Sequence, residues 1–81
     1  MGSKKPWDRR RKRVHALLRA VREEAGLTQA ALAKRLNVDQ SFVSRLERGE
    51  RRLDLVEVLD LCRACGLPFR TFVQRFEEDR L

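Results

Sequence analysis

Residues 29–46 read QAALAKRLNVDQSFVSRL, from Gln29 to Leu46, and Glu47, Arg48 and Gly49 close the stretch. Apolar or small residues recur at Leu32, Ala33, Leu36, Val38, Val43 and Leu46. On helical spacing Leu32 and Leu36 form one inward stripe, and Val43 and Leu46 form another. Ala33 lies beside Leu32, where a larger side chain would hold two helices apart. Asn37 follows Leu36, and Asn is among the few non-glycine residues that accept the left-handed conformation ending a helix. Asp39 is placed to offer its carboxylate to the free amides of the next helix. The stretch therefore reads as two short helices joined by a tight turn.

Working outward, Thr28 is a good N-cap for the first of these helices, and Gly26 ends whatever precedes it. Upstream, Val14, Leu17, Leu18, Val21 and Ala25 recur at i, i+3, i+4, i+7 and i+11, one stripe on a helix that Asp8 is expected to cap. Downstream, Gly49 stops the second short helix and a basic loop runs from Glu50 to Leu53. Asp54 with Glu57 three residues on resembles a capping box. It opens a fourth helix to Cys65, with Leu55, Val58, Leu59, Cys62 and Cys65 as the expected buried stripe. Gly66 closes that helix, and Pro68 suits the first turn of a fifth. That last helix, about Pro68 to Glu78, carries Phe69, Phe72, Val73 and Phe76 on one face. No alternating strand pattern and no internal repeat is present. The expected fold is all-α with five helices, residues 8–81 making a single domain behind a flexible basic arm at residues 1–7.

With 81 residues the chain suits one small domain, and a hydrophobic content of 42% supplies a core, which argues against wholesale disorder. No apolar run approaches the ~18 residues needed to span a membrane. No secretory signal is evident, so a cytoplasmic protein is the expectation. The net charge of +7 is unevenly placed. Residues 1–13 hold seven basic side chains against Asp8 alone, residues 28–53 hold six against three acids, and residues 54–81 are net acidic. Such asymmetry implies one face turned toward a polyanion. The run Arg9–Arg13 reads either as a solvated helix end or as a phosphate-contacting arm.

Cys62 and Cys65 form a lone CxxC without the further ligands of a structural zinc site, and they fall in an apolar helical pattern. Reduced core thiols are the expectation, with no metal and no cofactor. A single histidine, His15, and the absence of a glycine-rich phosphate loop leave no catalytic constellation, so an enzyme is not expected.

The segment LTQAALAKRLNVDQSFVSRLERGERR resembles the Xre-type family, the Cro- and lambda-repressor-like helix-turn-helix DNA-binding proteins. Gln29 opening the second helix, Ala33, the apolar positions 32, 36, 38, 43 and 46, and the closing Glu47-Arg48-Gly49 carry the match. Asn37 departs from the family's usual glycine but tolerates the same geometry. The resemblance implies five helices, with helix three reading the major groove and helix two lying across the backbone. Base contacts are then expected from Gln40, Ser41 and Arg45, and more weakly from Ser44. The chemistry agrees, since Gln pairs bidentately with adenine and Arg with guanine. Phosphate contacts are expected from Gln29 at a helix N-terminus and from Arg48, Arg51 and Arg52. Lys34 and Arg35 read either as part of that surface or as solvated. Phe42 is expected to be partly buried. Arg22 and Glu47 occupy positions that pair in family members, and losing one partner would cost about 3–5 kcal/mol.

One helix-turn-helix reads only a few base pairs, so a homodimer on a palindromic operator is the expected partner arrangement. Phe69 and Phe72 are assigned mainly to the core, leaving Phe76, Val73 and Leu81 for the dimer interface. The resemblance implies a sequence-specific transcriptional regulator, in this family most often a repressor. The alternative is an antitoxin or other interaction module whose main partner is a protein.

Overall fold

Four left-handed backbone positions, Gly26, Asn37, Gly49 and Gly66, and two side-chain caps divide the chain into its helices. The computed structural model describes residues 5–79, and among these the regular structure is five helices. They are α1 (Asp8–Glu24), α2 (Gln29–Leu36), α3 (Gln40–Glu47), α4 (Leu55–Ala64) and α5 (Phe69–Glu77). Thr28 Oγ1 accepts from the Ala31 amide to start α2, and Asn37, at φ 58°, ends it. Asp54 and Glu57 form the reciprocal capping box of α4. Two acids expected to cap do otherwise. Asp39 precedes α3 in an extended conformation but makes no side-chain cap. Asp8 is the first residue of α1 rather than its cap, and its carboxylate accepts from the Lys5 amide at 2.8 Å.

The core lies where α1, α2, α3 and α4 meet, with α5 closing one side. Leu17, Leu18 and Val21 of α1 pack with Leu32 and Ala33, Val43 and Leu46, Val58, Leu61 and Cys62, and Phe72. Burying each of the larger side chains stabilises the fold by about 1.5–3 kcal/mol. Truncating a fully buried one such as Leu46 should cost about 2–5 kcal/mol. Ala33 is 3% exposed, so it occupies a position with no room for a longer side chain.

The buried stripe of α4 is rotated from the expected one. Leu61 is buried, Leu59 is only partly so, and Leu55 is 69% exposed. The helix is apolar at Leu55, Val56, Val58, Leu59, Leu61 and Cys62, so its own pattern leaves the phase open and its neighbours choose it. Val38, assigned to the apolar set, is also exposed.

Side chains of α1 and α2 cover carbonyls in the following loop and at the ends of other helices. Arg22 Nη1 donates to Leu27 O at 2.8 Å, and Arg35 Nη1 to Ala64 O at 2.8 Å. His15 Nδ1 lies 2.7 Å from Leu46 O. A carbonyl only accepts, so Nδ1 carries the proton. Arg13 donates to Phe76 O, stacks over the Phe76 ring at 4.6 Å and sits 2.6 Å from Asp79 Oδ1. Arg35, His15 and Arg13 place donors against the negative ends of α4, α3 and α5, while Arg22 ties down the loop between α1 and α2. Arg75 adds a bidentate pair to Glu24, both contacts at 2.8 Å, tying α5 to α1. Much of the basic content is therefore structural, including Arg13 of the basic run and Arg35. No helix among the described residues is long and apolar enough to cross a membrane.

Candidate nucleic-acid interface

At ~100° per residue, α3 separates into two faces. Val43 and Leu46 point into the core at 0% and 1% exposure. Gln40, Ser41, Ser44 and Arg45 fall within about 140° on the other side. Of these four, only Ser44 is partly covered. Arg45 Nε makes a long hydrogen bond of 3.3 Å to Ser41 O, which leaves the guanidinium edge open. Ser44 Oγ accepts from Arg48 Nη1 at 3.0 Å, so Ser44 is already engaged. Phe42 lies at the border, half-buried, with the Arg51 guanidinium 4.6 Å above its ring.

The back of α3 is fixed to the scaffold by charge. Arg22 Nε and Nη2 donate to the two oxygens of Glu47 at 2.6 and 3.0 Å, with side chains 10% and 4% exposed. The Glu47 carboxylate, through this hydrogen bond above all, holds Arg22 more firmly protonated than an ordinary arginine. Gln29 Nε2 donates to the same carboxylate at 3.0 Å. One acid thus joins α1, the start of α2 and the end of α3. The second N–H of the Gln29 amide remains free for an anion at the α2 N-terminus, where first-turn amides point out of the helix.

The remaining basic candidates differ in how free they are. Arg48 forks onto Glu50 at 2.8 and 3.2 Å, an exposed pair in which each group favours the other's charged form. Arg51 is braced between Glu57 at 2.7 Å and the Phe42 ring. Arg52 is exposed and makes no ion pair among the described residues. Arg48, Arg51 and Arg52 line a cleft of about 520 Å³ whose opposite wall is α1, with Arg11, Lys12, His15 and Arg19.

A helix-turn-helix family model matches residues 16–72, which takes in α1 from Ala16 through Phe72 of α5. The chain belongs to the Xre-type helix-turn-helix family of transcriptional regulators. It is 40% identical over 57 residues to the HTH-type transcriptional regulator PrpR of Mycobacterium tuberculosis (strain ATCC 25618 / H37Rv), a match over 70% of this chain. It spans only 12% of that protein's length. It is 35% identical over 68 residues to the uncharacterized HTH-type transcriptional regulator y4dJ of Sinorhizobium fredii (strain NBRC 101917 / NGR234), covering 84% of this chain and 88% of that one. Its fold is similar to the structure of an XRE-family like protein from Pseudomonas syringae pv. tomato str. DC3000. The TM-score is 0.82 at 41% identity, over 88% of this chain and 87% of that one.

Two features of this Xre-type domain lie outside the helix-turn-helix motif. The first is the α1 wall of the cleft, whose residues Arg11, Lys12 and His15 precede the family match. Arg11 and Lys12 belong to the basic run Arg9–Arg13, which the sequence leaves open between a solvated helix end and a phosphate-contacting arm, and for His15 the spacing from Arg22, in steps of three and four residues, was the only signal. The second is an apolar groove of about 170 Å³ between α1, α4 and α5, lined by Val14, Leu55, Val58, Phe69, Val73 and Phe76. Val73 is 38% exposed and Phe76 half-buried, beside the unexpected Leu55. Leu81, the third expected interface residue, lies outside the described residues.

Proposed function

We propose that this helix-turn-helix protein binds a palindromic DNA operator as a homodimer and represses transcription there, in the cytoplasm. The observation that carries this is the exposed polar face Gln40, Ser41, Ser44 and Arg45 on a helix whose opposite side is locked by Val43, Leu46 and the Arg22–Glu47 pair. A rigid helix with bidentate-capable side chains on one face suits base edges in the major groove. Gln29 and Arg52 then contact phosphates, joined by Arg48 and Arg51 once their carboxylates give way. Such contacts position the helix without carrying sequence. The proposal assigns the protein no catalytic role.

The groove containing Leu55, Val73 and Phe76 is the dimer surface in this proposal. Exposed apolar side chains gathered around a groove mark interaction sites. A different protein, as in an antitoxin, is the alternative occupant.

Selection from a randomised duplex pool tests the proposal. Recovery of a palindrome with half-sites about one helical turn apart is the expected result. Arg45→Ala should then relax preference at one position per half-site by about 1–3 kcal/mol. No enriched sequence, with only salt-erased binding remaining, would refute it and favour the protein-partner alternative.

A further inference from the structure

α1 begins at Asp8, eight residues ahead of the start of the family match at residue 16. That extension sets Arg11, Lys12 and His15 opposite the end of α3 and the loop after it. With Arg19 they form one wall of the 520 Å³ cleft, and Arg48 and Arg52 stand on the other. We propose that this cleft is a clamp for backbone phosphates of duplex DNA lying outside the half-site that α3 reads. The proposal rests on the DNA-binding function above and adds a second, sequence-independent footprint gripped by α1.

The charge of the cleft is one-sided. Glu47 is the sole acid lining it, and its carboxylate is already taken by Arg22 and Gln29. Lys12 and Arg52 have no acidic partner among the described residues. Of the other cations, Arg51 is held by half-buried Glu57 at 2.7 Å, and the remaining three hold exposed carboxylates from outside the lining. Arg11 lies 3.7 Å from Asp8, Arg19 lies 3.5 Å from Glu23, and Arg48 lies 2.8 Å from Glu50. Exposed pairs of this kind are worth little, so a phosphate with more charge and more acceptor oxygens displaces them readily. The Arg48 fork onto Glu50 already has the two-point geometry that a phosphate takes.

His15 removes an obstacle. The last carbonyls of α3 carry partial negative charge that would repel an anion. His15 Nδ1 donates to one of them, Leu46 O, and the ring stands beside Gly49 on the cleft wall.

A polymer backbone fits better than a free nucleotide. The cleft offers no aromatic face for a base besides the His15 ring, and the Phe42 ring nearby is covered by Arg51. It is open to solvent.

The test compares wild type with Arg11→Gln/Lys12→Gln/Arg19→Gln, whose fold is checked by circular dichroism. Binding is measured by fluorescence anisotropy at several salt concentrations. Losing two to three phosphate contacts lowers the salt slope by about 2–3, so between 50 and 200 mM salt the wild type should weaken about 10- to 40-fold more than the variant. Base preference should be unchanged, and trimming the duplex to the bare half-sites should erase the difference. Equal slopes on the long duplex would overturn the clamp. Saturable binding of ATP or inorganic pyrophosphate without DNA, lost in the variant, would also overturn it in favour of a free phosphate ligand. If the wild type enriches no sequence, the regulator function fails by itself, and the slopes on an arbitrary duplex still decide the clamp.

Discussion

Glu47→Ala should be among the most damaging single changes outside the apolar core. It removes three hydrogen bonds at once, from Arg22 Nε, Arg22 Nη2 and Gln29 Nε2. Arg22 stays charged and, at 10% side-chain exposure, has little water to turn to. Its remaining bond is Nη1 to Leu27 O at 2.8 Å. Hydrogen bonds to charged groups contribute about 1.5–3 kcal/mol each, and their partial replacement by water reduces the sum. Breaking one side of a buried pair typically costs about 3–5 kcal/mol, and we expect about 3–4 kcal/mol here. A domain of this size holds in total about 4–12 kcal/mol, so the loss is about a quarter or more of the whole. The melting temperature should fall by at least about 12 °C.

Urea unfolding followed by far-ultraviolet circular dichroism measures this directly. The companion variant is Arg22→Met/Glu47→Leu, in which neither charge remains. Because both desolvation penalties vanish with the charges, the double variant should recover most of the lost stability. A Glu47→Ala cost under about 1 kcal/mol would show that water reaches Arg22 and that the tie is dispensable. A double variant as unstable as the sum of the two single changes would show that the pair acts through something other than buried charge.

Three further outcomes are expected. Leu55→Ser with Val73→Ser removes exposed apolar surface, so the monomer should melt within a few degrees of wild type while self-association, read by analytical ultracentrifugation, weakens on the order of tenfold or more. Unchanged self-association would move the interface elsewhere. Glu57 is held below its ordinary value of 4.5, first by the Arg51 hydrogen bond and then by the Asp54 amide. A depressed carboxyl stabilises the fold above its unfolded pKa and ceases to as pH falls through the folded one, so Glu57→Gln should flatten the loss of stability below about pH 4.5. An unaltered acid limb would contradict that. Burial pushes the Cys62 thiol up to about 11, so at pH 8 it should resist thiol reagents until the protein unfolds, with half-buried Cys65 labelled first. Rapid labelling of both thiols in the folded state would place water in the core.

What could be read from the sequence was local. Thr28, Asn37 and the Asp54–Glu57 box act on backbone groups within three residues, so their chemistry is decided before any tertiary contact forms. The core face of α3 was equally legible, because Val43 and Leu46 are the apolar residues of an otherwise polar helix apart from Phe42. α4 has too many apolar residues for its periodicity to select a face, and burial went to Leu61 rather than Leu55. Asp39 and Asp8 show the limit of residue-type rules, since Asp39 sits at the cap position without reaching an amide and Asp8 falls one residue inside its helix.

The arginines were the least legible, for a reason of reach rather than of pattern. A guanidinium lies several bonds from its backbone, so its partner is set by what surrounds the helix in space. Arg13 and Arg35 carry the same charge in the sequence as Arg45 and Arg52, yet the first two are spent on carbonyls of α5 and α4. Net charge therefore overstates the surface left for a polyanion, and only the fold shows which cations remain. Lys5, Arg9, Arg10, Lys34, Arg63 and Arg70 stand exposed elsewhere, without ion pairs among the described residues. Around α3 there remain six: Arg45 on the reading face, Lys12 and Arg52 without acidic partners, and Arg11, Arg19 and Arg48 in exposed pairs. Because five of these six line one cleft and the sixth stands on α3, sequence reading and backbone grip should fail separately under mutation. Arg45→Ala should change which DNA is chosen, whereas changes on α1 should alter how steeply salt releases it.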